Sequence, residues 1–449
     1  MNPSIFKAYD IRGKYPDELD EETVYQVARH FVEMMQAKEV VVAYDARVSA
    51  PSLLPHLYQG IADGGAKIIE LGMTGTEVFY FAVAHYKYKA GIVLTASHNP
   101  KMYNGLKLVG ENAEALSEMG RLTELRDRVI NSTFERTNLE ITREKIDPYS
   151  EFKNRILNLV NFNSDRKLKI VVDPGNGVGG LVFDKIFGDN KNLEIHRMYY
   201  EPDGNFPNHE ANPTKIENVY DLIAKVKELN ADLGIALDGD ADRVFFIDEK
   251  GGYSLGYFVT ALIAERALEK YPKANIVHEA RYDWAIKDSI KKVGGTGLVS
   301  KSGYPFIKAL MRKTNAVFGG ETSAHYYYRD TYNSDSPTLT IALILELMLH
   351  SGKSFSEILK KFQDNYFISG EINLTVESAD VAIERVKSKF SQMEGVTLSE
   401  LDGLLFEKGR EWHISVRKSN TEPLIRLNVE ANSPKEVQRV LNEVQGLIY

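Results

Sequence analysis

Cysteine is absent from the chain, so neither a disulfide nor a thiolate metal centre is available, and a reducing cytoplasm is the expected setting. A long apolar run is also missing. The longest apolar helix candidate, Leu339 to His350, is too short to span a bilayer and carries Glu346, so it reads as a core helix and no membrane partner is expected. The opening Met1-Asn2-Pro3-Ser4-Ile5-Phe6-Lys7 lacks a basic region followed by an apolar one, so it does not read as a secretion signal. Positive charge is in deficit, with a formal net charge of −8, which argues against nucleic acid or an anionic membrane as the main partner. A local basic cleft for a small phosphorylated ligand stays compatible with that balance. A hydrophobic content of 43% is enough for a large interior and excludes extensive disorder. At 449 residues the chain exceeds what one core can organise, and roughly three or four domains of about 100–150 residues are expected.

Along the chain, apolar strands alternate with amphipathic helices. Phe6 to Gly13 reads as an alternating strand and a turn, followed by a helix from about Asp20 to Gln36. Val40-Val41-Val42-Ala43-Tyr44 then ends in Asp45 and Arg47, a helix covers about Ala50 to Gly64, and a strand runs from Lys67 to Leu71. A helix from Glu77 leads to the strand Ala90-Gly91-Ile92-Val93-Leu94. The pattern recurs from Leu168 through a helix at about Ile216 to Leu229 and the strand Leu233 to Leu237. It recurs again from Ala274 through helices near Asp283 to Val293 and Pro305 to Thr314. Such alternation predicts mainly parallel sheets covered by helices. After about residue 368 the texture changes to a smaller α+β domain: a strand at Gly370 to Val376, a helix at Asp380 to Gln392, and strands Trp412 to Arg417 and Leu424 to Glu430.

Four polar loops interrupt this framework. The first, Thr95-Ala96-Ser97-His98-Asn99-Pro100, follows the apolar strand ending at Leu94. Taken alone it reads as a turn, yet a hydroxyl fixed at a strand end is also well placed for chemistry. The second is Asp238-Gly239-Asp240-Ala241-Asp242-Arg243, pinned between Leu233 to Leu237 and Val244 to Ile247. Three carboxylates that close repel one another unless a cation neutralises them, so a divalent metal is the simplest reading. An EF-hand is disfavoured although Glu249 stands twelfth, because Arg243 occupies the place of the turn glycine and the flanks read as strands. The third loop, Gly320-Glu321-Thr322-Ser323-Ala324-His325, offers a carboxylate and a hydroxyl after a short strand. The fourth, Arg417-Lys418-Ser419-Asn420-Thr421-Glu422-Pro423, gathers the donors a phosphate needs, although a polar hairpin loop has the same look. In open parallel sheets ligands collect beyond the carboxyl ends of strands, so such loops can serve one cleft.

In this order, the four motifs make the sequence resemble an α-D-phosphohexomutase over essentially its whole length. The closest resemblance is to bacterial phosphomannomutases and their phosphomannomutase/phosphoglucomutase relatives, through His278 to Trp284 and Gly319 to His325. The resemblance implies three similar mixed or parallel α/β domains and a C-terminal α+β domain like half of a TATA-box-binding protein, arranged as a heart around one cleft. The boundaries implied are 1–150, 151–252, 253–367 and 368–449. It implies a phosphoryl group on Ser97 and Mg2+ held by Ser97, Asp238, Asp240 and Asp242. Arg243 would steady the phosphate, and His98 and Lys107 would be candidates for proton transfer. Tyr9, Arg12, Arg281 and Lys308 would contact substrate, Glu321 and Ser323 would bind sugar hydroxyls, and Arg417, Ser419, Asn420, Thr421 and Arg426 would grip the phosphate that is not reacting. Two positions depart from the pattern: Tyr304 stands where a histidine contact is expected, and Thr322 stands where close relatives often have Met.

The implied activity is that of an isomerase moving a phosphoryl group between the 1- and 6-positions of mannose or glucose phosphates. Glucose or mannose 1,6-bisphosphate is then both intermediate and activator, and reorientation requires the C-terminal domain to open at a hinge near residues 366–370. Phosphoglucosamine mutases usually carry Gln-Ser-Gly in the sugar loop, against which Thr322-Ser323-Ala324 speaks. A haloacid-dehalogenase-like phosphotransferase with Asp238 as nucleophile, and a phosphosugar- or calcium-binding protein without catalysis, are the other readings.

Overall fold

The computed structural model describes residues 2–117, 120–418 and 424–449. Its contacts divide the chain into two compact units. One comprises Met1–Ser254 with His325–Phe355, and the other Leu255–Ala324 with Ser356–Tyr449.

The first unit carries two sheets. In the larger, the strands lie in the order Ile11–Lys14, Tyr103–Gly110, Ala90–Leu94, Glu39–Tyr44, Lys67–Met73, Arg143–Lys145. Pairing is parallel from Ala90–Leu94 outward to Arg143–Lys145, while Tyr103–Gly110 runs antiparallel to both of its neighbours. Strands with helices on both faces must be apolar throughout, and every residue of Ala90–Leu94 is buried. Glu21–Met35 starts where Asp20 accepts the Thr23 N–H at 2.8 Å, with Glu21 and Glu22 in the first turn favoured by the helix dipole. The expected strand from Phe6 begins only at Ile11, because the Lys7 N–H donates to the Asp10 carbonyl at 2.8 Å and closes a turn. That turn carries Tyr9. Tyr103–Gly110 makes the Ser97 segment a connection between antiparallel neighbours, so the sheet is mixed.

The second sheet has the order Tyr253–Ser254, Val244–Asp248, Leu233–Leu237, Leu168–Asp173, Leu193–Arg197. The acidic loop therefore joins two antiparallel strands, Leu233–Leu237 and Val244–Asp248, each buried along its whole length. The hairpin Tyr326–Tyr328 with Ser334–Asp335 and the buried helix Pro337–Ser351 complete this unit. Among the described residues no helix is long and apolar enough to cross a membrane.

In the second unit, Asn275–Glu279 pairs in parallel with both Thr296–Ser300 and Phe318–Gly320. Its C-terminal part is an antiparallel sheet in which Leu424–Ala431 pairs with Trp412–Lys418, Ile372–Thr375 and Phe367–Ile368. Helices Ala379–Phe390 and Pro434–Ile448 bury Val386, Phe390, Val440 and Val444 against the apolar side chains of that sheet. The described residues thus carry three mixed sheets and one antiparallel sheet, as expected of three α/β domains and a C-terminal α+β domain.

Candidate active site

Ser97 sits just beyond the buried strand Ala90–Leu94 with φ +49°, a left-handed conformation rare for a serine. Several groups impose it. The Ser97 N–H donates to Thr95 Oγ1 at 2.8 Å, and the Thr95 hydroxyl donates to Asp45 Oδ2 at 2.6 Å. Arg47, fully buried, donates to the carbonyls of Pro100 and Tyr103 at 2.9 and 2.7 Å, and to those of Ser97 and Asn99 at 2.9 and 2.6 Å. A guanidinium carries five donors in a rigid fork, so one side chain fixes four points of the loop. Asp45 balances its charge, with Oδ2 3.3 Å from Arg47 Nε. Neither residue was singled out as functional from the sequence. Their signal was a pair of charges directly after an apolar strand.

The acidic loop meets this segment backbone to backbone. A Cβ at Gly239 would lie 2.5 Å from the Ser97 carbonyl oxygen, so only glycine permits the approach. The Ser97 hydroxyl consequently donates to Asp238 Oδ2 at 2.9 Å, and His98 Nδ1 lies 3.2 Å from the same Oγ. Arg243 donates to Asp238 Oδ2 through Nε and Nη2 at 3.0 and 2.8 Å, and its Nη2 reaches Ser97 Oγ at 3.5 Å. Lys107, from the strand Tyr103–Gly110, donates to Asp240 Oδ2 at 2.6 Å and to Asp242 Oδ2 at 2.5 Å. Thr76 donates to Asp240 Oδ2 at 2.6 Å. Ser97, His98, Lys107, Asp238, Asp240, Asp242 and Arg243 thus form one constellation.

Its electrostatics follow from burial and charge together. Burial raises the Asp238 carboxyl to about 6 against the pull of Arg243, with Asp242 and Asp240 adding to the rise. Asp242 stays low because Lys107 and His325 overcome its burial. Lys107, despite burial, is driven well above the usual lysine value by Asp240 and Asp242, so it is a fixed cation. His98 falls well below the ordinary histidine value through burial and the charges of Arg243, Arg12, His325 and Lys107. It is therefore a neutral imidazole beside the Ser97 hydroxyl.

The three aspartates offer carboxylate oxygens all within 4.8 Å of one another, and Asp240 Oδ1 and Asp242 Oδ1 are buried without a hydrogen-bond partner. An all-oxygen set with unused lone pairs fits a hard dication such as Mg2+. Strands on both sides of the loop rule out an EF-hand. His325, quoted in the sugar loop but given no role from the sequence, joins this group. Its Nδ1 lies 3.0 Å from Asp335 Oδ1 and 3.8 Å from Asp242 Oδ1. Arg12 pairs with Asp10 and donates to Asn99 Oδ1 at 2.5 Å, which ties it to the Ser97 loop; Tyr9 is half-buried three residues earlier.

In the second unit, Glu321 Oε1 accepts the Gly303 N–H at 2.7 Å, which fixes the carboxylate at the head of its loop. Ser323 is half-buried beside it. Thr322, where the family pattern often has Met, donates its N–H and its hydroxyl to Glu279 Oε1, so it orders the loop from within. Lys308 is buried with Nζ 5.0 Å from the centre of the Tyr304 ring, a cation–π contact in which Tyr304 positions the lysine. Arg281 is gripped by Glu279 Oε2 at 2.7 Å and by Glu371 Oε2 at 3.0 Å. Arg417 and Arg426 also point at Glu371, at 3.6 and 3.5 Å, so three guanidinium groups converge on one carboxylate. Ser419, Asn420 and Thr421 lie outside the described residues.

The chain matches the phosphoglucomutase/phosphomannomutase descriptions of alpha/beta/alpha domain I over residues 3–135, domain II over 147–252, domain III over 255–366 and the C-terminal domain over 371–447. It is 40% identical over 433 residues to a protein of Xanthomonas campestris pv. campestris (strain B100) named "Phosphohexose mutases", covering 96% of this chain and 95% of that one. It is 38% identical over 438 residues to a phosphomannomutase of Escherichia coli K12, covering 95% of each. The crystal structure of a phosphoglucomutase/phosphomannomutase family protein from Burkholderia thailandensis superposes with a TM-score of 0.90 at 30% identity, over 100% of this chain and 97% of that one.

Proposed function

The chain belongs to the phosphoglucomutase/phosphomannomutase family of α-D-phosphohexomutases, close to bacterial phosphomannomutases, and is a hexose phosphate mutase; on that premise we propose that Ser97 is its phosphoryl carrier. Its partners are small-molecule hexose phosphates, and we take mannose and glucose 1- and 6-phosphates as the substrates. The observation that carries this reading is the Ser97 hydroxyl 2.9 Å from Asp238, with Arg243 against both.

In the proposed reaction the bond between phosphorus and Ser97 Oγ breaks as a bond to the free sugar hydroxyl forms. The displaced hydroxyl proton goes to a neighbouring base. His98, neutral and adjacent to Oγ, suits that role, while the fixed charge of Lys107 suits a counter-charge to the moving group rather than the proton transfer that the family resemblance implies for it. Arg243 follows the phosphoryl oxygens from donor to acceptor. Asp238, Asp240 and Asp242 would hold Mg2+ together with an oxygen on Ser97. Bound there, the ion supplies neutralisation of the charge on the moving group, the main requirement of phosphoryl transfer. The 1,6-bisphosphate then turns over and returns its other phosphate to Ser97. Glu321 and Ser323 would accept and donate at the sugar hydroxyls, with Tyr9, Arg12, Arg281 and Lys308 as further contacts. Arg417 and Arg426, with Ser419, Asn420 and Thr421, would bind the idle phosphate. We retain the domain division at residues 150, 252 and 367 and a hinge near 366–370, where Gly370 has φ +72°.

The test treats the enzyme with glucose 1,6-bisphosphate and follows intact mass and peptide mapping. An acid-stable phosphoserine at Ser97, absent from Ser97→Ala along with mutase activity, is the expected result. A hydroxylamine-labile phosphate on Asp238, or wild-type turnover by Ser97→Ala, would overturn it. Comparing kcat/KM for mannose, glucose and glucosamine 1-phosphates with Mg2+ and bisphosphate then fixes the substrate.

A further inference from the structure

A second cluster of metal-ligand type lies far along the sequence from the acidic loop, within the second unit. Asp283, His413 and Glu430 are all buried, and each offers a ligand atom within 4.8 Å of the others. His413 and Glu430 are directly opposed on the antiparallel strands Trp412–Lys418 and Leu424–Ala431, so their side chains emerge on one face of the C-terminal sheet. Asp283 immediately precedes the helix Trp284–Val293. Two potential ligands therefore come from the C-terminal sheet and one from the third α/β segment.

The polar accounting here is incomplete. His413 is 3% exposed, yet neither ring nitrogen makes a hydrogen bond, and Asp283 Oδ1 is buried and equally unpartnered. Buried polar atoms without partners are few in native proteins and call for an explanation. The separation of His413 Nδ1 from Asp283 Oδ1 is 3.6 Å, too long for a hydrogen bond. It is the separation of two ligands around one tetrahedral ion, since metal–ligand bonds of about 2.0–2.2 Å place donor atoms about 3.3–3.6 Å apart.

The remaining lone pairs are already engaged from behind. Lys287 Nζ lies 2.6 Å from Asp283 Oδ2. The Tyr257 hydroxyl donates to Glu430 Oε1, and the N–H groups of Asp283 and Trp284 donate to Oε2, each at 3.2 Å. The Ala285 N–H in turn donates to the Tyr257 oxygen at 2.7 Å. These outer contacts aim both carboxylates, as metal sites do with their ligands, and they leave Asp283 Oδ1 without a hydrogen bond and Glu430 Oε1 with one lone pair beside the bond from Tyr257.

We propose that Asp283, His413 and Glu430 bind one transition-metal dication of the Zn2+ type beside the pivot of the proposed hinge, where Glu430 is paired with Ile368. One imidazole and two carboxylates suit zinc better than magnesium, which takes oxygen ligands and keeps its waters. The site is separate from the acidic loop in sequence and in ligand chemistry.

The test uses the full-length protein stripped with EDTA and kept in large excess of Mg2+ to fill the acidic loop. Zn2+ is titrated against a chromophoric chelator, and Co2+ is used in parallel for its visible spectrum. The expected result is one equivalent of Zn2+ that Mg2+ does not displace, a rise in Tm on its addition, and the intense absorption of tetrahedral Co2+. His413→Phe should weaken Zn2+ at least about a hundredfold and abolish the Co2+ bands, while Asp242→Asn keeps both. Should His413→Phe fail to fold, Asp283→Asn, nearly isosteric, reads the same loss. No Mg2+-resistant equivalent in the wild type, or an equivalent that survives both His413→Phe and Asp283→Asn, would overturn the proposal. A Tm indifferent to Zn2+ would do the same and leave His413 as the partner of an ordinary buried ion pair.

Discussion

Replacing Lys107 with Met keeps the volume of the side chain and removes the charge that bridges Asp240 and Asp242. Lys107 is 4% exposed and contacts both carboxylates at 2.6 and 2.5 Å, so no water stands ready to take its place. Removing one partner of a buried ion pair costs about 3–5 kcal/mol, because the remaining charge is left uncompensated. Here two carboxylates lose their partner and Asp238 keeps only Arg243, so the upper end of that range is expected in EDTA. Such a loss consumes much of a typical folding stability of about 5–15 kcal/mol. Urea denaturation in EDTA and again in saturating Mg2+ measures it. The variant should regain more stability than the wild type on Mg2+ addition, since the dication replaces the lost neutralisation. Turnover should stay about 10²–10³-fold down even with Mg2+, the usual weight of one preorganised charge or donor at the reacting group. A midpoint in EDTA within about 0.5 kcal/mol of wild type, or equal gains from Mg2+ in both proteins, would refute the reasoning; surface substitutions fall within that margin.

Glu77 is fully enclosed, accepts from Ser336 Oγ at 3.1 Å and from the Thr338 N–H at 3.3 Å, and is raised by burial to about 8. The folded chain then keeps a proton that the unfolded chain releases, so wild-type stability should fall as pH rises from about 4.5 to about 8. Glu77→Gln should flatten that slope in urea titrations at pH 5 and pH 8, and parallel slopes would count against it. Asp63 is the opposite case: burial alone would raise it, but the N–H groups of Leu139 and Thr137 with Tyr25 and Gln59 hold it well below the carboxylate range. Its stabilisation is present above the unfolded value near ~4 and is lost as pH falls through the lower folded value, so Asp63→Asn should unfold more easily at pH 7 by about 1–3 kcal/mol and lose part of the acid-induced decline. Arg47→Lys cannot reach four carbonyls with one ammonium, so kcat should drop about tenfold or more while circular dichroism is unchanged; equal kcat would show that the Ser97 loop needs no such clamp.

The α/β repeats were legible because their strands are uninterrupted apolar runs, as in Ala90–Leu94 and Leu233–Leu237. Tyr103–Gly110 escaped notice for a functional reason. It is buried through nearly its whole length but carries Asn104, Gly105 and Lys107, polar or small residues that the Ser97 loop and the acidic loop require inside the sheet. A Cβ at Gly105 would lie 2.3 Å from the Ile11 carbonyl, so packing chose glycine where strand propensity would not. The three aspartates stood out from local chemistry, since crowded carboxylates after a strand have few structural uses, whereas the Ser97 loop alone reads as a turn and stood out only beside the other three loops. Arg47, Asp45 and His325 were not, because their partners lie about fifty or more residues away, or across a hairpin, and no local pattern records such pairings.

The φ of +49° at Ser97 places the proposed phosphoryl carrier in a region that costs a non-glycine residue on the order of 1–3 kcal/mol when sparsely populated. Arg47, Thr95 and the backbone of Gly239 over-determine that conformation, each through the main chain and none through the hydroxyl. The hydroxyl is thereby left to Asp238, His98 and Arg243 alone. Such a division suits a residue that must exist in two covalent states. When Oγ bears a phosphoryl group the contacts that fix the loop need not change, because they never used Oγ. The charges around it have room for the addition, since Arg243 already faces Ser97 and a dication held by the aspartates would face it too. Fixing the main chain and leaving the side-chain oxygen free is what the proposed cycle asks of a loop that serves as both donor and acceptor.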